Sequence, residues 1–123
     1  MSTILIVDDC TSTRKIVSAT LRGIGFEVVE ALDGAEALDF ASKGECDLVL
    51  SDLNMPNMNG IELTRALRKL EQYQETPVLL LTTEDCKDKV EEAKQAGATG
   101  WLIKPFAPRV LQKTIKSVLK IKD

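Results

Sequence analysis

A chain of 123 residues, 44% hydrophobic and 28% charged, has the size and composition of one soluble globular domain. Its net charge of −3 argues against nucleic acid, which rewards a basic surface, and no apolar run approaches the roughly 18 residues needed to span a membrane. With no histidine, and three spaced cysteines without a CxxC pair, zinc, haem and Ser-His or Cys-His triads lose their usual parts, and a cytoplasmic location with reduced thiols is expected.

ILIV at residues 4–7 is a continuous apolar run, the pattern of a parallel strand buried on both faces, and it ends at Asp8 and Asp9. Its start, MSTILIVDD, does not fit a secretory signal. Thr11 or Ser12 can cap the following helix, with Ile16, Val17, Thr20, Leu21 and Ile24 as its inner face and Gly23 and Gly25 as its stop. FEVVE at 26–30 reads as a second strand. Asp33 then caps a short helix through Ala37, Leu38 and Ala41, which Gly44 ends. The third strand, DLVLS at 47–51, runs into Asp52 and a loop carrying Pro56 and Gly60.

A third helix begins near Gly60 with Ile61, Leu63, Leu67 and Leu70 facing inward. Pro77 opens a fourth strand, VLLL, which meets Thr82. Residues 85–96 form a fourth helix stopped by Gly97, and the fifth strand, 99–103, runs into Lys104. Val110, Leu111, Thr114, Ile115, Val118 and Leu119 give the last helix its apolar stripe. Five strands alternating with five helices, without linker or repeat, predict one α/β domain over residues 1–123 with no output domain. The expected architecture is a doubly wound parallel sheet in a three-layer sandwich.

In open α/β sheets the ligand site lies beyond the carboxyl ends of the strands, at a switch point. If the first and third strands are neighbours there, Asp8, Asp9 and Asp52 converge, joined on the same rim by Thr82 and Lys104. Two carboxylates about 4 Å apart repel by roughly 4 kcal/mol at an effective dielectric near 20, so such a cluster persists when a cation is part of the site. Oxygen donors without His or Cys select a hard ion, and few carboxylates fit Mg²⁺ better than a Ca²⁺ cage. Lys104, Thr82 and Mg²⁺ are the parts needed to hold the oxygens of a phosphoryl group, with one carboxylate as the nucleophile. Asp52 stands alone at its strand end and is the best candidate, although the residue pattern leaves the choice among three acids open. Cys10 falls beside these carboxylates, which should disfavour its thiolate, and a packing role is expected for it.

VDD (7–9), SDLNMPNMNG (51–60), LLLTTE (79–84) and GWLIKPF (100–106), in this order and spacing, resemble the receiver domain of bacterial two-component response regulators. The similarity covers essentially the whole chain and is nearest to the stand-alone, chemotaxis-type members. It implies the flavodoxin-like strand order 2-1-3-4-5 and makes Asp52 the phosphoacceptor. Mg²⁺ would be held by Asp9 and Asp52, by the backbone carbonyl of Asn54, and by Asp8 directly or through water. Thr82 would hydrogen-bond the phosphoryl group and Lys104 would pair with one of its oxygens. Trp101 stands at the switch position, Asn54 and Glu84 at positions that tune dephosphorylation, and Lys104–Pro105 is expected to be cis. The implied partners are a histidine kinase or phosphotransfer protein and a downstream target such as a flagellar motor switch, met by a monomer that turns over no separate substrate.

Three residues depart from the family pattern. Trp101 replaces the usual Tyr or Phe, so a bulkier indole must turn inward. Thr83 replaces a small residue and narrows access to Asp52, and Asn59 replaces a frequent Asp before Gly60. Arg109, Lys113, Lys116 and Lys120 form a basic stripe on the last helix, read first as a solvated face. Arg14, Lys15 and Ile16 mark the first helix as the docking side for the phosphodonor. Two rival readings are a haloacid-dehalogenase-type phosphohydrolase, which carries a second acid where this chain has Asn54, and a degenerate receiver serving only as a binding module.

Overall fold

Each apolar run becomes a strand and each amphipathic stretch a helix in the computed structural model, which describes residues 2–82, 88–104 and 106–119. The elements are β1 (Thr3–Val7), α1 (Thr11–Arg22), β2 (Glu27–Ala31), α2 (Gly34–Lys43), β3 (Leu48–Asp52), α3 (Gly60–Arg68), a 3₁₀ turn (Glu71–Tyr73), β4 (Val78–Thr82), α4 (Val90–Ala96), β5 (Gly100–Ile103) and α5 (Pro108–Leu119). All strand pairs are parallel and the order is β2-β1-β3-β4-β5, the flavodoxin-like arrangement. The chain reverses its winding between the neighbours β1 and β3, which makes the carboxyl end of that pair the switch point.

Alternation along β1, β3 and β4 explains why their apolar runs have no break. Leu5, Val7, Val49, Val78 and Leu80 pack with residues of α2, α3 and α4, whereas Ile4, Ile6, Leu48, Leu50, Leu79, Leu81 and Leu102 pack with α1 and α5. Each fully buried Leu or Ile contributes roughly 1.5–3 kcal/mol, so helices on both faces favour apolar residues at every strand position. Met55 and Met58 pack against the first of these clusters, as expected of loop-filling residues.

The helix caps are local chemistry. Asp33 accepts from the Glu36 backbone N–H at 2.8 Å and opens α2. At α3, Asn59 and Glu62 form a reciprocal capping box, so Asn in place of Asp keeps the turn intact. Gly97 ends α4 at φ +102°, where a side chain would be strained.

Three local expectations need correction. Cys10, rather than Thr11 or Ser12, occupies the N-cap of α1, and its side chain makes no capping bond. The inner face of α1 is Arg14, Val17, Ser18 and Leu21, leaving Ile16 65% exposed. The helix is rotated because Arg14 finds acceptors inside, and an i, i+3, i+4, i+7 face built on it places position 16 outside. On α5, Val110 is also exposed, with Leu111 and Ile115 carrying the burial. Thr83, Glu84, Cys86, the first part of the expected fourth helix, the Lys104–Pro105 bond and Lys120 lie outside the described residues. No described helix is long and apolar enough to cross a membrane.

Candidate functional site

The turn from β1 into α1 supplies two acids with different surroundings. Asp8 is 1% exposed, whereas Asp9 projects to the surface. The Cys10 backbone N–H donates to Asp8 Oδ1 at 2.9 Å. Among the described residues, Asp8 Oδ2 is buried without a hydrogen-bond partner. A buried polar atom left this way costs free energy unless some further group completes it.

Asp52 closes β3 and is partly buried. Its backbone is clamped where the third helix begins: a Cβ on Gly60 would stand 2.6 Å from the Asp52 carbonyl oxygen and 2.9 Å from Leu80. Only glycine allows that close approach, so Gly60 sets the depth of the Asp52 strand end. Lys104 follows β5, and its backbone N–H donates to the Thr82 carbonyl at 2.7 Å. Its ammonium lies 3.1 Å from Asp52 Oδ1 and 3.7 Å from Asp8 Oδ2.

Asp8, Asp9 and Asp52 each present a carboxylate oxygen within 4.8 Å of the others. The Asp52 carboxyl is pushed above its ordinary range, first by burial and further by the charges of Asp8 and Asp9, against the opposing pull of Lys104. One ammonium therefore does not balance the three acids. The oxygen-only donors and the orphaned Asp8 Oδ2 both suit a hard divalent cation.

Thr82, the last residue of β4, is buried and one position beyond the Leu81 that pairs with Asp52. It also lines a cleft with Leu53, Leu80, Val90, Ala93 and Trp101. Trp101 itself is 37% exposed, with Lys94 Nζ 5.5 Å from its ring centroid. Free space in the cleft is about 10 Å³, room for about one water, so the indole does not fit there with the lining side chains as they stand. Asn54 is exposed in the β3–α3 loop, two residues past Asp52. Arg109 and Lys113 are exposed on α5, and with Gln112 and Lys116 they line a shallow groove.

Two residues do not sit as expected. Cys10 is exposed rather than packed, and its thiol is lowered: the Thr13 hydroxyl, donating at 3.4 Å, outweighs the nearby Asp8 charge. Arg14 is buried, so it leaves Lys15 and Ile16 as the exposed part of that face. Its partner Glu30 gave no signal in sequence, since one acid in a strand pattern reads as an edge residue. Lys94 was equally silent, because its ring contact crosses from α4 to β5.

Comparison with known proteins points to one family. Residues 4–116 match the model of the response regulator receiver domain. The chain is 42% identical to chemotaxis protein CheY of Pseudomonas aeruginosa over 118 residues, 95% of each protein. Among solved structures, chemotaxis protein CheY4 of Vibrio cholerae superimposes with a TM-score of 0.92 at 50% identity, covering 96% of this chain and 98% of that one. The receiver domain of a Pseudomonas aeruginosa sensor histidine kinase, with a magnesium ion coordinated in its active-site cleft, gives 0.89 at 29% identity, covering 97% and 98%.

Proposed function

This chain belongs to the response regulator receiver family and is of the chemotaxis type, and from that premise we propose that it is a phosphorylation-activated switch whose phosphoacceptor is Asp52. The observation that carries the proposal is the position of Lys104 between Asp52 and Asp8, beside three carboxylates. Asp8, Asp9 and Asp52, with the Asn54 carbonyl, would hold Mg²⁺. When bound, that ion supplies positive charge for the phosphoryl oxygens and relief for the acidic cluster. A magnesium ion in the cleft of a related receiver domain supports this assignment.

An Asp52 carboxylate oxygen attacks phosphorus of a phosphohistidine. The P–O bond forms as the P–N bond breaks, and the electron pair stays on the departing imidazole nitrogen. Lys104 already faces Asp52 and stabilises negative charge on the transferred group. Hydrolysis of the resulting acyl phosphate, tuned by Asn54 and Glu84, resets the switch, and no separate substrate is turned over.

Thr82 touches both regions, because it ends the strand beside Asp52 and lines the cleft under Trp101. A hydrogen bond from its hydroxyl to the phosphoryl group would draw it toward the site and favour the state with the indole turned in. The phosphoryl group shifts a pre-existing balance by its different contacts in the two states. The surface that changes is α4, β5 and α5, where a downstream protein, such as a flagellar motor component, would bind. Exposed Lys15 and Ile16 on α1 suit the docking of a histidine kinase or phosphotransfer protein. The working form would be a cytoplasmic monomer. Trp101 fluorescence tests the reading: Mg²⁺ with a small acyl phosphate should change it in the wild-type chain and not in Asp52→Asn.

A further inference from the structure

Behind the acidic cluster lies a buried cation that the phosphoryl chemistry does not use. Arg14 is 6% exposed, and its guanidinium points in two directions. Nη1 donates to the Asp8 backbone carbonyl at 2.7 Å, and Nε donates to Glu30 Oε1 at 3.1 Å. Glu30 also faces Lys15 at 3.5 Å and Arg22 at 3.9 Å, so it is held by three cations at once. The Asp8 backbone N–H meanwhile donates to the Ala31 carbonyl at 3.2 Å. Residues 30 and 31 of β2 thus fix both ends of Asp8, one directly and one through Arg14.

We infer that Arg14, braced by Glu30, is a positioning residue that aims the free Asp8 carboxylate oxygen at a divalent cation; this rests on the metal site proposed above. Among the described residues every polar atom of Asp8 except Oδ2 has a hydrogen-bond partner, and Oδ2 is the atom facing Lys104. Groups that fix a ligand without touching the metal commonly control affinity by tenfold or more. Arginine is required because one planar group must serve two acceptors from different nitrogens, which a single lysine ammonium does poorly. The Glu30 carboxylate keeps the buried guanidinium from standing uncompensated.

A purely structural tie between α1 and β2 would make Arg14 important for folding but leave cation binding by the folded chain unchanged. Calorimetric titration of the full chain with Mg²⁺ alone separates the two. The variants are Arg14→Lys, Glu30→Gln and, as a control, Arg22→Ala, which removes a Glu30 partner that does not reach Asp8. Urea melts first establish that each variant is folded. Arg14→Lys should weaken Mg²⁺ binding about tenfold, Glu30→Gln severalfold, and Arg22→Ala less than twofold. If Arg14→Lys fails to fold, Glu30→Gln carries the test. Folded variants that bind Mg²⁺ as the wild type does would overturn the role of Arg14 alone. A wild-type chain that does not bind Mg²⁺ would instead overturn the metal site on which the inference rests.

Discussion

Lys104 reaches across the strand ends to place its ammonium 3.1 Å from Asp52 Oδ1, while Asp8 Oδ2 stands 3.7 Å away on the other side. One cation therefore serves two acids that belong to different strands. Lys104→Met should destabilise the metal-free chain by about 1–3 kcal/mol, since it leaves both carboxylates without their partner. Saturating Mg²⁺ should narrow that deficit. The variant, freed of an ammonium that competes for the same acids, binds the ion more tightly and gains more stability by mass action than the wild type. Urea midpoints with and without Mg²⁺ measure both effects; an equal deficit in the two conditions would contradict the shared-cation account.

Asp9 adds like charge to this cluster with little burial to offset it. Without Mg²⁺, Asp9→Asn should raise the stability read from urea melts, by less than about 1 kcal/mol because Asp9 is exposed. With Mg²⁺ the order should reverse, since the wild type then gains a bound ion that the variant holds less well. A clear loss of stability in the metal-free variant would count against repulsion among the three acids.

Glu30 gives a stability contribution with a defined pH window. Burial pushes its carboxyl up, but Arg14 and Lys15 together bring it below the ordinary value of 4.5. A depressed acid stabilises the fold fully above its unfolded value and loses that contribution as pH falls through the folded value. The stability difference between wild type and Glu30→Gln should therefore be greatest above pH 4.5 and shrink in more acid solution. Urea melts of the two chains at a series of pH values read it directly, and a difference that grows on acidification would be contrary to the pairing.

The strand pattern and the site acids were legible for a common reason. ILIV, LVLS and VLLL each sit in a sheet covered on both sides, so their composition reports burial without knowledge of their partners, whereas GWLI is an edge strand in which only Leu102 is buried. Asp8, Asp52, Thr82 and Lys104 follow these runs directly, and parallel register brings the strand ends together. What sequence hid depends on contacts between elements. Arg14 looked like a surface cation because its acceptors, Glu30 on β2 and the Asp8 carbonyl just past β1, lie where pattern cannot orient them toward α1. The rotation of α1 and the exposure of Ile16 both follow from that placement.

Lys94 lies 5.5 Å from the Trp101 ring centroid and favours the outward indole. An exposed cation over an indole is worth about 0.5–1 kcal/mol, which is roughly a two- to fivefold bias. Lys94→Gln should shift the resting Trp101 fluorescence toward that of the phosphorylated chain, with a smaller further change when the acyl phosphate is added. An unchanged resting spectrum would show that the ammonium does not hold the ring.

The most direct measurement is the intact mass of the chain after incubation with Mg²⁺ and a small acyl phosphate. The wild type should gain the mass of a single phosphoryl group, lose it on standing, and gain none when Mg²⁺ is chelated, while Asp52→Asn should gain none in any condition. No added mass on the wild type, or labelling that survives Asp52→Asn, would contradict a receiver in which Asp52 is the phosphoacceptor.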